Sequence, residues 1–204
     1  MKILTIIGAR PQFIKAAPLS KKFLENNIHE ILVHTGQHYS RNMSDIFFDE
    51  LEMEQPHYNL EIGSFTHGKQ TGRMIEKIEE VLFIEKPDSV IVYGDTNSTL
   101  AGVIAASKIN IPVLHIEAGL RSFNMKMAEE QNRIITDHLS SLLFTPTKEA
   151  SKNFTKESFS EKKEIENDFI LDEKFGVLAE EIKKRMEQKS LSTNNNNSSN
   201  IDSE

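Results

Sequence analysis

Short apolar runs rich in β-branched residues alternate along this chain with longer segments in which apolar residues recur at helical spacing. The runs at residues 2–7, 30–35, 89–93 and 113–116 are typical of buried strands, and segment 71–84 is the clearest amphipathic helix between them. Regular alternation of strands and helices predicts an α/β fold, a doubly wound, Rossmann-like parallel sheet of five or six strands.

The alternation of strands and helices is predicted to stop near residue 158, where the sequence becomes highly charged. We therefore predict a first unit over residues 1–158, and a charged linker with an amphipathic helix over residues 159–189. Residues 190–204 lack apolar content and are predicted to be a disordered tail. The helix is expected over residues 172–189, because apolar residues recur there every three or four positions, at Phe175, Leu178, Ile182 and Met186.

Composition limits the partners and the compartment. The chain has 24 Lys and Arg against 31 Asp and Glu, a net charge of −7, and no long basic run, which argues against nucleic acid as a ligand. It has no cysteine, which excludes disulfides and thiolate chemistry within the sequence and fits a reducing compartment. The first apolar run is too short for a membrane span or a signal peptide, so we expect a soluble, cytoplasmic protein with no membrane partner.

Two acidic residues each follow a predicted strand directly. Asp95 comes after residues 89–93 and Glu117 after residues 113–116, so both are expected at the carboxyl edge of the sheet, where ligands bind in this fold class. Capping of the next helix and catalysis are equally open for Asp95. Glu117 needs a partner or a task, since an unpaired buried carboxylate is very costly, and Arg121 is a candidate partner.

Further charged residues are expected at the same edge. Glu129 opens a predicted helix with Arg133 four residues later, a pair that is explained either by helix electrostatics or by a shared site. Arg10 lies in the first strand-to-helix turn, as a surface residue or as an anion ligand, and Lys15 follows on the helix. Convergence of the three carboxylates with two cations suits proton abstraction and departure of an anionic leaving group.

The histidines do not predict a metal site. His34, His38, His57 and His67 fall on strand and loop segments rather than on one helix face, which is not the spacing of a zinc pair.

Six motifs occur in order within residues 1–155: IIGARPQFIK, HTGQHY, YGDTNSTLAG, HIEAGLRSFN, EEQNR and DHLSSLLFTPT. Together they resemble the non-hydrolysing UDP-N-acetylglucosamine 2-epimerases. The resemblance implies the N-terminal half of a glycosyltransferase-B-type fold, with the UDP-sugar held between two Rossmann-like domains. It also implies conversion of UDP-N-acetylglucosamine to UDP-N-acetylmannosamine by removal of the C2 proton, elimination of UDP and re-addition, without a metal or redox cofactor.

Transferred residue by residue, the resemblance implies catalytic roles for Asp95, Glu117 and Glu129. It implies substrate-binding roles for Arg10 and Lys15, and Arg121 is predicted to join them. Gln37 and His38 match positions that bind a second, activating UDP-N-acetylglucosamine in some bacterial members. Ala128 stands where the family usually has proline, and Met125 where it often has a basic residue.

Residues 159–204 do not resemble the second domain of that family, so we expect this chain alone to bind UDP-sugar weakly and turn it over slowly or not at all. An epimerase for a UDP-2,3-diacetamido-glucuronate is an alternative within the enzyme class. A non-catalytic module that binds a partner, as a homodimer or with a complementary C-terminal half, is the alternative outside it. Packing of the 172–189 helix on its own domain would indicate a self-contained fold, and exposure would indicate a partner.

Overall fold

In a computed structural model, residues 1–37, 48, 51, 53–156, 163–166, 180, 182 and 184 are described. The strands are β1 (Lys2–Ile7), β2 (His29–His34), β3 (Tyr58–Asn59), β4 (Ser89–Tyr93), β5 (Val113–Ile116), β6 (Leu142–Thr145) and β7 (Lys163–Glu166). The helices are α1 (Arg10–Glu25), α2 (His67–Glu85), α3 (Asn97–Lys108), α4 (Ala128–Leu139) and α5 (Lys148–Lys156).

The seven strands of this described part form one parallel sheet in the order β3-β2-β1-β4-β5-β6-β7. The predicted doubly wound α/β fold is confirmed. The strand order reverses between β1 and β4, and in such sheets the crevice at the carboxyl ends of the strands at this switch point binds ligands.

Both faces of the sheet are covered by apolar layers. Beneath α1, Phe13 and Leu19 pack with Ile3 and Ile7 of β1. On the opposite face, α2 and α3 pack on the other side chains of the same strands, through Met74, Ile78, Ala101 and Val103. Residues 3–7 of β1 are all buried, with Ile3 and Ile7 in the first layer and Leu4 and Ile6 in the second. Each fully buried apolar side chain contributes about 1.5–3 kcal/mol, so burial on both faces of β1 stabilises the packing of helices on both sides of the sheet.

Ile182 is fully buried in the layer beneath α1. The predicted 172–189 helix therefore contacts the chain's own domain at this position, while Phe175, Leu178 and Met186 lie outside the described residues. The predicted tail over residues 190–204 also lies outside them. No helix in the described ranges is both long enough and apolar enough to span a lipid bilayer.

Two predictions about the sheet are wrong, since its described part has seven strands rather than five or six and includes a strand in the predicted linker. Residues 163–166, expected in a charged linker, form β7 and pair in parallel with β6, from Leu142↔Lys163 to Thr145↔Glu166. The alternation of strands and helices thus continues past residue 158. Only one of these four residues, Ile165, is apolar, and a strand at the sheet edge needs less apolar sequence than the central strands from which the pattern was recognised.

Gly8 lies just after β1, in close contact with Thr35 at the end of β2 and with Ser98 in the first turn of α3. A Cβ atom at this position would lie 2.1 Å from Thr35 Oγ1 and 2.2 Å from Ser98 Oγ, two hydroxyls that are themselves hydrogen-bonded at 2.8 Å. We expect Gly8→Ala to lower the free energy of unfolding by about 1–3 kcal/mol through overpacking, measured by urea denaturation. Gly72→Ala is the matched control, since a Cβ there meets nothing within 4 Å and Ala is favoured in helix α2. Equal stability of the Gly8 variant and the unsubstituted chain would refute the close approach.

Candidate active site

Two turns meet at the carboxyl edge of the sheet, one after β4 and one after β5. The Gly94 N–H donates to Ile116 O at 2.9 Å. Gly94 has a φ of 62°, and a Cβ on it would lie 3.3 Å from Glu117 Oε2. The Glu117 carboxylate therefore lies directly beside the turn that carries Asp95, as the sequence predicts for these two acids.

Asp95 does not cap helix α3. Thr96 is the N-cap residue, and its Oγ1 accepts the Thr99 N–H at 3.4 Å. The Asp95 carboxylate is partly exposed and instead forms an ion pair with Arg133, at 2.5 Å between Oδ2 and a terminal guanidinium nitrogen. Of the two interpretations left open by the sequence, the capping role is wrong.

Glu117 has a φ of 71°, in the left-handed region. This conformation costs a residue with a side chain about 1–2 kcal/mol, and such strain is concentrated at functional sites. The Glu117 carboxylate, with 20% of its side chain exposed, lies 2.5 Å from Lys15 Nζ on α1. An ion pair between residues 102 positions apart thus closes α1 onto the edge of β5.

Arg121 is not the partner of Glu117, which pairs with Lys15, and its role in substrate binding stays a prediction. Its side chain is only 1% exposed and its guanidinium lies 2.7 Å from Asp137 Oδ2 on α4. The same guanidinium donates to Leu120 O at 2.8 Å and lies over the ring of Phe154. Because the chain has already left the strand at Glu117, the sequence spacing no longer tells on which side of the sheet edge residue 121 lies.

The two glutamates that open α4 have different environments. Glu129 is exposed in the first turn, whereas Glu130 is fully buried. The Glu130 carboxylate accepts the N–H groups of Ser122 at 2.9 Å and Phe123 at 2.8 Å, and a bond from Arg133 at 2.7 Å. Burial opposes the charge, but these donors leave the pKa of Glu130 below its usual value. Sequence reasoning missed Glu130 and paired Arg133 with Glu129 instead, which is wrong.

Arg133 joins the two carboxylates that surround it. One terminal nitrogen contacts Glu130 and the other contacts Asp95. Burial opposes its charge, but these two acids leave the pKa of Arg133 above its usual value. The neighbouring Asn132 also donates to Asp95 O at 2.9 Å, so that α4 holds the Asp95 turn at both its side chain and its backbone.

Gln12 is a second residue that sequence reasoning missed. Its Oε1 accepts the N–H groups of Gly8 at 2.8 Å and Ala9 at 3.0 Å, and its Nε2 donates to Tyr93 O at 2.8 Å. The buried amide therefore joins the turn after β1 to the end of β4. A glutamine at the third position of a helix is a known capping signal that was available in the sequence. Arg10, the first residue of α1, is exposed beside this turn.

Gln37 contacts the first turn of α3. Its Oε1 accepts the Ser98 N–H at 3.0 Å and the Ser98 hydroxyl at 2.7 Å. The amide oxygen thus satisfies a helix N-terminal donor that has no partner within the helix. His38, predicted to share a role with Gln37, lies outside the described residues.

Within the ranges that the structure describes, no group of three or more histidine or acidic side chains is placed to hold a metal ion. His34 packs its ring against Phe13, with 5.3 Å between ring centroids. His57 Nδ1 accepts the Leu32 N–H at 3.2 Å. These two histidines are used in packing and in backbone hydrogen bonding.

A family model described as UDP-N-acetylglucosamine 2-epimerase matches residues 22–198, so the match begins after the first motif and runs past the limit expected near residue 155. A Methanococcus maripaludis protein named UDP-N-acetylglucosamine 2-epimerase homolog is 61% identical over 160 residues, 78% of this chain and 44% of that protein. A Pseudomonas aeruginosa protein named UDP-2,3-diacetamido-2,3-dideoxy-D-glucuronate 2-epimerase is 60% identical over 163 residues, 79% of this chain and 46% of that protein. The chain spans about half the length of these curated relatives.

A solved structure of an epimerase has the same fold as the described part of this chain. The crystal structure of the Methanocaldococcus jannaschii UDP-GlcNAc 2-epimerase in complex with UDP-GlcNAc and UDP matches with a TM-score of 0.78 and 53% sequence identity. The match covers 81% of this chain and 46% of that one.

Proposed function

Because this chain belongs to the UDP-N-acetylglucosamine 2-epimerase family, we propose that it supplies the acid–base carboxylates for 2-epimerisation of UDP-N-acetylglucosamine. The observation that carries the proposal is the meeting of the Asp95 and Glu117 turns at the switch point of the sheet, with Glu117 strained and paired with Lys15. The chain covers about half of its relatives' length, so the proposal concerns what its own residues contribute.

The reaction needs at least two acid–base groups. A base takes the C2 proton, the C2–H electron pair forms the C1=C2 double bond, and the C1–O bond breaks to release UDP. UDP oxygen then adds back to C1 while a proton is delivered to the opposite face of C2. Asp95 and Glu117 come from separate turns, and Glu129 is exposed at the start of α4. These three carboxylates are the candidates for taking the C2 proton and for delivering a proton to the opposite face.

The cations and helix N-termini at this edge of the sheet are suited to binding the phosphate groups of a nucleoside diphosphate. Helices α1 and α3 begin directly after β1 and β4, and helix N-termini attract phosphate groups. Arg10 is exposed in the first of these turns. Lys15 lies about one and a half helical turns further along, with its ammonium group paired with Glu117. We assign both cations to the anionic part of the substrate and leave Arg121 out, since it is buried against Asp137.

A UDP-2,3-diacetamido-glucuronate is the second candidate substrate. The observation in its favour is the P. aeruginosa relative named for this substrate, whose identity of 60% nearly equals the 61% of the M. maripaludis protein. The two substrates share the UDP group and the C2 chemistry and differ at C3 and C6 of the sugar.

Proton exchange at C2 tests the proposed function. The purified chain, in excess over UDP-N-acetylglucosamine in deuterated water, is expected to replace the C2 proton by deuterium slowly and to form little or no UDP-N-acetylmannosamine, both followed by proton NMR. Acid–base groups contribute about 10²–10⁴-fold to such a proton transfer, so exchange is expected well above that of a sample without protein. Excess protein makes even a slow reaction measurable.

Parallel titrations with both UDP-sugars separate binding from chemistry. Binding without exchange of either sugar would contradict the enzyme proposal and indicate a nucleotide-sugar-binding module. Exchange of the diacetamido-glucuronate alone would move the substrate to the second candidate. Glu80→Gln, an exposed acid of α2 paired with Lys77, is the control variant and is expected to retain the rate of the unsubstituted chain.

A further inference from the structure

His115, in strand β5, is fully buried between the two turns of the candidate site. Its Nε2 lies 2.7 Å from Gly94 O, in the residue before Asp95. Its Nδ1 lies 2.7 Å from Asp137 Oδ1 on α4. Neither Gly94 nor Asp137 belongs to β5, so the imidazole spans from the turn after β4 to helix α4.

The atoms that face the two ring nitrogens are acceptors. A backbone carbonyl oxygen has no hydrogen to donate, so Nε2 must carry the hydrogen of that bond. The second oxygen of Asp137 accepts from Arg121 at 2.7 Å and from the Gly119 N–H at 3.2 Å. The Arg121 guanidinium, 2.7 Å from this oxygen, favours the ionised form of Asp137. An ionised Asp137 requires a hydrogen on Nδ1 as well.

We propose that His115 is a positioning residue that donates from both ring nitrogens, so that a protonated imidazole holds the Asp95 turn at Gly94 and, through Asp137, the Glu117 turn at Gly119. We call the hydrogen-bonded path from Gly94 through His115 and Asp137 to Gly119 the link. Its importance for activity rests on the proposed function. The charged groups around the link are Asp137 and Arg121, and the Glu117 carboxylate lies on the other side of Gly94.

The link acts on geometry rather than on the substrate. His115 and Asp137 are both fully buried, so neither side chain reaches the crevice. They fix a carbonyl one residue before Asp95 and an N–H two residues after Glu117. A displacement of about 1 Å in a reacting group costs on the order of 100-fold in rate, and loss of the link would displace both carboxylates relative to each other.

Nitrogen-15 NMR of the chain labelled at histidine tests the protonation state without any need for activity. Both His115 ring nitrogens are expected to carry a directly bonded hydrogen at neutral pH, and His115→Gln identifies their signals by loss. A ring nitrogen without hydrogen would overturn the proposal, since it would mean a neutral imidazole accepting from a protonated Asp137.

The same variant tests positioning. His115→Gln is expected to lower the C2 exchange rate at saturating UDP-sugar by about 10–100-fold, to leave the substrate concentration at half-maximal rate unchanged, and to remove hydrogen-exchange protection from the Gly119 amide. His29→Gln, an exposed histidine at the start of β2, is the matched control and is expected to change none of these. An unchanged exchange rate would overturn the inference.

The two proposals fail in different ways. If the unsubstituted chain exchanges no C2 proton, the proposed function fails by its own test, and the inference is then decided by the His115 ring-nitrogen signals and the backbone amide signals. Retained protection of Gly119 in His115→Gln would overturn it, and lost protection together with shifted Gly94 and Asp95 amides would support it.

Discussion

Glu117→Gln is expected to lower the rate of C2 proton exchange by about 10²–10⁴-fold, the contribution typical of a general acid or base. The amide cannot accept a proton at neutral pH, but it has the size of the carboxylate and keeps an oxygen that can accept from Lys15 Nζ. The left-handed backbone at residue 117 is unaffected by this change, so the turn should persist. Exchange is measured by proton NMR in deuterated water, with the protein in excess.

The loss must be chemical rather than structural for this expectation to hold. Circular dichroism and the affinity for UDP-sugar are therefore expected to match those of the unsubstituted chain, and Glu80→Gln on the surface of α2 to retain full exchange. A Glu117→Gln chain that exchanges C2 at the unsubstituted rate would mean that the strained turn and its Lys15 pair are structural and that Glu117 carries no proton.

The placement of Asp95 and Glu117 was predictable because it depends only on strand order. Each apolar run was recognised from four to six consecutive residues, and observed β4 and β5 have the predicted bounds, residues 89–93 and 113–116. In a parallel sheet every strand ends at the same edge, so an acid that follows a strand must lie there. The fold class and the proximity of these turns follow from that rule.

The partners of these acids were not predictable, since side-chain direction is known from sequence only within a regular element. Strand β5 ends at Ile116, and the φ of 71° at Glu117 breaks the alternation that would have related it to Arg121. Its actual partner, Lys15, is on a helix whose rotation about its axis the sequence does not fix. Choosing Glu130 over Glu129 as the partner of Arg133 likewise required the loop whose N–H groups Glu130 accepts.

Asp137→Asn is expected to give the largest loss of stability, about 3–5 kcal/mol in the free energy of unfolding at neutral pH. Asp137 is fully buried and pairs with both His115 and Arg121, whose side chains are also buried. Removing one member of a buried ion cluster leaves charge without a counter-ion in a medium of low polarity, which produces losses of this size. Urea denaturation measures it, as a lower midpoint with an unchanged slope.

The pH dependence separates this electrostatic loss from a packing defect. Because folding lowers the pKa of Asp137, its ionised carboxylate stabilises the folded state fully at pH values above the ordinary aspartate pKa of 3.8. This stabilisation is lost as the pH falls through the lower pKa that Asp137 has in the folded state. The difference in stability between Asp137→Asn and the unsubstituted chain is therefore expected to shrink in acid, whereas a defect in packing would persist there. Glu149→Gln, which breaks an exposed pair with Lys152, should cost less than about 0.5 kcal/mol at every pH. A loss for Asp137→Asn as small as that of Glu149→Gln would mean that the buried cluster does not hold the two turns together.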